Sequence, residues 1–218
     1  MKFMEKLARK HGDLLGQESV TAVFFGDSVT QGCFEVYMKS EGCLETVFDW
    51  EESYSNKFKK LIGQLFPNAQ FNVINSGISG DNAVSGCRRL ERDVLRFRPD
   101  LAVVCFGLND STRGAEGMED YRKALAEIFS RITQTGAECI LMTPNAMCTE
   151  KAYGVSDAPI AGAAELCSRL MREGVLDRYV ETAKQTAQSC GVAVCDCYSL
   201  WKKIYACGAD PLDLLSNK

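Results

Sequence analysis

The sequence lacks the long apolar runs and low-complexity stretches that mark proteins outside the ordinary globular classes. No apolar run approaches the roughly 20 residues that a membrane-spanning helix needs. Residues 1–17 carry charges throughout and contain no apolar signal-peptide core. No internal repeat or linker divides the 218 residues. The sequence therefore predicts a single domain over residues 1–218 that is neither inserted in a membrane nor exported, and that works in the cytoplasm.

A surplus of basic residues is also missing. The chain has 25 lysines and arginines against 29 acidic residues, so its net charge is -4 and its pI is about 5.2. Because nucleic-acid binding depends on a basic surface, nucleic acid is excluded as the main partner. Nothing in the composition indicates an oligomeric state.

The spacing of the cysteines lacks a metal-binding pattern, although there are eleven of them. No Cys-x-x-Cys pair occurs, and no histidine neighbours the densest group, which is Cys190, Cys195, Cys197 and Cys207. Disulfide scaffolds are mostly much smaller, exported chains. Cys105 and Cys139 lie inside apolar runs, where a small buried side chain is expected. The sequence therefore predicts core thiols, no metal and no cofactor.

Apolar runs and helical patterns alternate along the chain. Runs with the length and flanking residues of buried strands lie at residues 22–25, 71–74, 101–106, 139–142 and 192–195. Helical spacing covers residues 2–15, 55–66, 84–94, 118–132, 159–189 with an interruption near Gly174, and 200–206. The third of these helices carries Arg88, Arg89, Glu91 and Arg92 on its predicted solvent face. This alternation predicts a three-layer α/β/α sandwich with a mainly parallel sheet.

Residues 33–52 have no clear period and are predicted to form a loop. Two interpretations remain open for this segment: it walls a substrate pocket beside the sheet, or it only covers the flank of the sheet.

Three polar stretches follow three of the predicted strands. They are Gly26-Asp27-Ser28-Val29-Thr30, Asn75-Ser76-Gly77-Ile78-Ser79-Gly80-Asp81 and Phe106-Gly107-Leu108-Asn109-Asp110. In a parallel α/β sheet, ligands bind beyond the carboxyl ends of the strands, and all three stretches fall at that edge. Each one singly also fits an ordinary turn or helix cap.

Together, in this order and spacing, the three stretches resemble the blocks of the SGNH (GDSL-type) hydrolase superfamily, over about the first half of the chain. The resemblance implies five strands in flavodoxin-like order and hydrolysis of a carboxylic ester. It implies Ser28 as the nucleophile and an oxyanion hole formed by the Ser28 N–H, the Gly80 N–H and the Asn109 side-chain amide. Asp27 and Asp110 are interpreted as supports for the loops. Such donors would hold the oxygen that becomes negative during acyl transfer.

The substrate is expected to be a small soluble acyl ester, such as an acetylated sugar, because no membrane-binding amphipathic helix is apparent. A phosphate-binding module of similar fold is disfavoured, since Asp27 has the wrong charge for phosphate. The main alternative is a catalytically inactive hydrolase-fold protein that binds a small ligand or a partner.

The fourth block of this superfamily, an Asp-x-x-His near the carboxyl end, does not appear. The single histidine, His11, lies on the first helix, which is expected at the amino side or flank of the sheet, away from Ser28. The last residues contain Asp210 and Asp213, and neither is assigned a role. We therefore expect a chain truncated at the C-terminus, with an oxyanion hole but little turnover. The alternative is that His11 reaches Ser28 and acts as the base.

Overall fold

The computed structural model describes residues 2–151, 155–208 and 214–215. The strands in this part of the chain are β1 (Val20–Gly26), β2 (Cys33–Ser40), β3 (Cys43–Phe48), β4 (Phe71–Gly77), β5 (Leu101–Cys105), β6 (Glu138–Met142) and β7 (Ala193–Cys195). The helices are α1 (Lys2–Gly12), α2 (Ser28–Gln31), α3 (Tyr54–Leu65), α4 (Ala83–Asp93), α5 (Leu108–Ser111), α6 (Met118–Gln134), α7 (Ala158–Arg172), α8 (Val175–Ser189) and α9 (Cys197–Ala206). Among the helices described, none combines the length and apolar character that crossing a bilayer requires.

Five strands form a parallel sheet in the order β4-β1-β5-β6-β7. Counting only these strands along the chain, the order is 2-1-3-4-5, which is the flavodoxin-like arrangement. β1 lies between β4 and β5, and its last residue, Gly26, pairs with Gly77 on one side and Cys105 on the other. The predicted sheet and its strand order are confirmed.

Helices cover both faces of the sheet because its central strands are apolar on both sides. Ala22 and Phe24 of β1 pack with α1 and α3, whereas Val23 and Phe25 pack in the larger core with α4, α6 and α8. All five residues of β5 are buried, as expected for a central parallel strand. The three-layer α/β/α sandwich is therefore confirmed.

The segment predicted to be a loop, residues 33–52, contains an antiparallel hairpin of β2 and β3, so that prediction was wrong. The two strands are joined by Glu41-Gly42, and Gly42 has φ +72°. Most of β2 is exposed or half-buried. A hairpin that buries neither face fully has little need of the apolar alternation by which strands are recognised.

Three other boundaries differ from the predictions by three residues each. The helix predicted over residues 2–15 ends at Gly12, and the last helix begins at Cys197 rather than at residue 200. β4 continues to Gly77, so Asn75–Gly77 belong to the strand and not to the following loop. The predicted break near Gly174 is confirmed, since this glycine has φ +63° between α7 and α8.

Candidate active site

Ser28 is the first residue of α2, at the carboxyl end of β1. Asp27 caps this short helix, because its Oδ1 accepts a hydrogen bond of 3.0 Å from the Val29 N–H. Gly32 ends the helix with φ +101°. Ser28 is half-buried, and within the described residues neither its Oγ nor its N–H takes part in a hydrogen bond. Both groups are therefore free to contact a ligand at this edge.

The loop that carries Gly80 lies against the Ser28 turn. The Ile78 N–H donates to the Gly26 carbonyl at 3.1 Å, and the Ser79 N–H donates to Gln31 Oε1 at 2.6 Å. A Cβ at Gly77 would collide with the Gln31 backbone, so only glycine allows this approach. Gly80 has φ +78°. The second predicted stretch is thus fixed beside the first.

The third stretch is joined to the second. Asn109 Nδ2 donates to the Asp81 carbonyl at 2.8 Å, and Asp110 Oδ1 accepts from the Ala83 N–H at 2.9 Å. A side-chain amide has two N–H groups. The second one of Asn109 makes no hydrogen bond to any described residue. The structure therefore brings the turns of Ser28, Gly80 and Asn109 together at one edge of the sheet.

Arg89 was predicted on the solvent face of its helix, and this prediction was wrong. The side chain is 9% exposed and lies over the Phe25 ring, with Cζ 4.4 Å from the ring centroid. It donates to the Gly26 carbonyl at 2.9 Å, to the Ser76 carbonyl at 2.7 Å and to Asp81 Oδ2 at 2.6 Å. One guanidinium thus holds the ends of β1 and β4 and the loop beyond Gly80.

Helical spacing in the sequence carries a signal for the buried position of Arg89. Arg89 is three residues after Gly86 and adjacent to Leu90, both of which are buried on the inner face of α4. A charged side chain at a buried helical position is usually paired, and Asp81 and Asp93 are the acids within its reach.

Asp27 and Asp110 are buried carboxyl groups, 1% and 4% exposed. Burial, opposed by the hydrogen bond from the Val29 N–H and helped by the nearby carboxylates of Asp110 and Asp81, raises the pKa of Asp27 to about 7. Burial likewise raises the pKa of Asp110 to about 6. Asp110 Oδ2 is buried without a hydrogen-bond partner among the described residues. Asp27 accepts a hydrogen bond from the Val29 N–H, and Asp110 accepts one from the Ala83 N–H. Such bonds to the backbone fit the predicted role of both residues as supports for the loops.

His11 lies at the opposite edge of the sheet from Ser28. Its Nδ1 accepts a hydrogen bond of 3.2 Å from the Asn68 N–H, just before β4 begins, and its ring packs against Phe66. His11 is therefore not placed to act as a base for Ser28. Asp210 and Asp213 lie outside the described residues.

A cleft of about 960 Å³ opens beside the Ser28 turn. Its walls come from α2 and β2, from the ends of β5 and β6, and from α7, α9 and the tail. The lining includes Val29, Cys33, Phe34, Tyr37, Cys105, Asn145, Trp201 and Leu215. Of the two interpretations of residues 33–52, the structure favours the pocket wall. In the described ranges, no group of three or more His, Cys, Asp or Glu side chains is placed to hold a metal ion.

The sequence matches a known protein family over most of its length. The model of the GDSL-like Lipase/Acylhydrolase family matches residues 24–216. An acetylxylan esterase from Geobacillus stearothermophilus is 26% identical over 131 residues, which cover 56% of this chain and 58% of that enzyme. The match thus spans little more than half the length of this curated relative.

Solved structures share the fold. A catalytic mutant of an acetylxylan esterase from Geobacillus stearothermophilus superposes with a TM-score of 0.61 at 23% identity, covering 87% of this chain and 82% of that one. An alpha/beta hydrolase enzyme from the metagenome of Lake Arreo, Spain, gives a TM-score of 0.63 at 22% identity, with 89% and 85% covered. A gut microbial diltiazem-metabolizing enzyme gives 0.64 at 19% identity, with 87% and 39% covered.

Proposed function

The chain belongs to the GDSL-like lipase/acylhydrolase family, and on that premise we propose that it is built for serine-dependent hydrolysis of small carboxylic esters. The observation that carries the proposal is the junction of three turns at one sheet edge. Ser28 lies there with a hydroxyl that bonds to no described residue, and hydrogen bonds join the Gly80 loop to Gln31, at the end of the Ser28 helix, on one side and to Asn109 on the other.

In the proposed reaction, Ser28 Oγ attacks the carbonyl carbon of the ester. The carbonyl oxygen becomes negative and is held by the Ser28 N–H, the Gly80 N–H and the free N–H of the Asn109 amide. The bond from the carbonyl carbon to the alcohol oxygen breaks and the alcohol leaves with the proton of the Ser28 hydroxyl; water then cleaves the acyl-Ser28 ester, which gives the carboxylic acid and the free Ser28 hydroxyl. Asp27 and Asp110 hold the turns through backbone N–H groups and do not touch the reacting atoms.

The acyl group is proposed to be small. The curated relative is described as an acetylxylan esterase, which supports an acetylated sugar as the candidate substrate.

The second candidate function is binding of a small ligand without turnover. It is favoured by one observation, the position of His11 at the far edge of the sheet. Without a base, the Ser28 hydroxyl loses a contribution of about 100- to 10,000-fold to the rate.

The first prediction tests Ser28 as the nucleophile. Ser28→Ala is expected to abolish hydrolysis of p-nitrophenyl acetate and labelling by a fluorophosphonate, while the protein stays folded, because this turn residue contributes little to the core. Labelling is read by mass spectrometry of the peptide that contains residue 28. Ser40→Ala, at the exposed tip of the hairpin, is the matched control and should leave the rate unchanged. If the Ser28→Ala variant keeps most of the parent rate, the nucleophile is elsewhere.

A further inference from the structure

Among the described residues, the charged side chains that line the cleft beside Ser28 are both acidic. The charged side chains that line it in the described ranges are Glu35 on β2 and Asp157 before α7. Neither carboxylate forms an ion pair within the described chain, and Asp157 does not cap the helix that it precedes. The cleft therefore has a negative rim without compensating cations among the described residues.

Asn145 adds an acceptor deeper in the same cleft. Its Nδ2 donates to the Ala146 carbonyl at 2.8 Å, while its Oδ1 is buried with no partner among the described residues. A buried acceptor without a donor is costly, so it is a natural contact for a ligand hydroxyl or ammonium group. Like the two carboxylates, this atom can only accept hydrogen bonds.

The rest of the lining is largely apolar. Phe34 is 58% exposed and Tyr37 is 38% exposed, and both face the cleft together with Trp201 and Ile160. Aromatic side chains offer an apolar face to rings of a ligand and exclude water around it. The cleft thus combines an apolar wall with acceptors and negative charge.

We propose that this cleft binds the alcohol part of the ester substrate. Glu35 and Asp157 favour neutral or positively charged esters that donate hydrogen bonds, and they disfavour anionic esters. The proposal rests on the proposed function, because it names the substrate class of that site. Sugar esters and amino esters both carry the required chemistry. Phosphorylated and carboxylated esters do not.

The test measures binding, so that it does not depend on turnover. The protein carries Ser28→Ala to prevent hydrolysis and Trp50→Phe to leave Trp201 as the only tryptophan. Three matched probes are titrated: 4-(hydroxymethyl)phenyl acetate, 4-(aminomethyl)phenyl acetate and 4-carboxyphenyl acetate. The change in Trp201 fluorescence gives each dissociation constant. The neutral probe is expected to bind about tenfold more tightly than the anionic one, from roughly threefold for each screened carboxylate, and the cationic probe is expected to bind at least as tightly as the neutral one.

Two further variants test whether Glu35 and Asp157 cause the discrimination against the anionic probe. Glu35→Gln and Asp157→Asn should each reduce the discrimination against the anionic probe about threefold, and the double variant should abolish it. Glu41→Gln removes the same charge from the hairpin turn, away from the cleft, and should change nothing.

Each outcome decides the selectivity proposal. Equal binding of the three probes, no binding of any of them, or discrimination that survives in the double variant would overturn it. If the charge order appears but the parent protein never hydrolyses an ester, the selectivity stands and the hydrolytic function fails. If esters of all charges are hydrolysed equally well, the hydrolytic function stands and the selectivity fails. If the protein binds the cationic probe more tightly than the neutral one, amino esters rather than sugar esters are the substrates that the cleft selects.

Discussion

The side-chain amide of Asn109 has two N–H groups, and each has its own role. One N–H holds the Asp81 carbonyl, and the other is proposed to hold the oxyanion. We expect Asn109→Ala to lower kcat for acetate release about 100- to 1,000-fold, with a smaller change in KM, because the lost donor acts on the transition state. Asn72→Ala, an exposed asparagine at the amino end of β4, is the matched control. An equal loss in both variants, or a loss confined to KM, would contradict the oxyanion role.

Asp27 has a pKa of about 7 in the folded protein because it is buried, whereas in the unfolded chain it ionises near its ordinary value of about 3.9. Between these values the folded state holds a proton that the unfolded chain has released. The resulting stabilisation is present at low pH and is lost as the pH rises towards 7.

We therefore expect Asp27→Asn to increase the free energy of unfolding at pH 8, on the order of a few kcal/mol, and to leave it nearly unchanged at pH 4. The Asn oxygen can still accept from the Val29 N–H. Urea denaturation at the two pH values measures the difference, and Asp120→Asn, at an exposed carboxylate, is the control. A variant that loses stability at pH 8 would show that the Asp27 charge is needed in the fold.

The sequence predicted where Ser28, Gly80 and Asn109 would lie, because a polar turn after each buried strand must reach the same edge of a parallel sheet. It did not predict how these turns are joined. The bonds from Ser79 to Gln31 and from Asn109 to Asp81 connect residues far apart in sequence, and no local pattern encodes them.

At the scale of elements, α4 does more than cover the sheet, because Arg89 projects from it under the ends of β1 and β4. Arg89→Ala would leave Asp81 buried without its cation, which typically costs about 3 to 5 kcal/mol. Arg89→Lys should recover only part of this, since an ammonium group cannot contact the Gly26 and Ser76 carbonyls and Asp81 at once. Urea denaturation measures both variants.

The neighbouring Arg88→Ala is the matched control, because Arg88 is exposed and the described residues offer it no ion pair. A loss of stability as large in Arg88→Ala as in Arg89→Ala would show that the effect comes from helix propensity or net charge and not from the buried contacts.

The elements found from the sequence were those that pack in the core. The five sheet strands stand out as apolar runs because both of their faces are covered, and the long helices show a helical period because one face of each packs on the sheet. β2 and β3 were missed because a hairpin that buries little of either face shows no apolar pattern. Arg89 was missed for the opposite reason, since a helical period treats any arginine as solvent-facing.

At the scale of the whole molecule, the sheet separates the only histidine of the sequence from the candidate nucleophile. α1 leads into the amino end of β1, so His11 comes to Asn68 at one edge, while Ser28 follows β1 at the other. The three proposed oxyanion donors lie on one edge of the sheet, but none of the residues described there is a histidine. The proposed donors therefore lie together at an edge where the described residues include no histidine.

A small diffusible base should then serve at the edge where the described residues place no histidine. We expect added imidazole to raise the rate of acetate release from an acetylated sugar by these 218 residues, because it can enter the open cleft beside Ser28 and accept the hydroxyl proton. The Ser28→Ala variant at the same imidazole concentrations measures the direct reaction of imidazole with the ester, and the difference is the rescued rate. His11→Gln should be rescued to the same extent, since His11 is bonded to Asn68 at the far edge. A rate that falls in His11→Gln would mean that His11 reaches Ser28 in solution. Equal rates in the parent and in Ser28→Ala at every imidazole concentration would leave ligand binding without turnover as the function of the site.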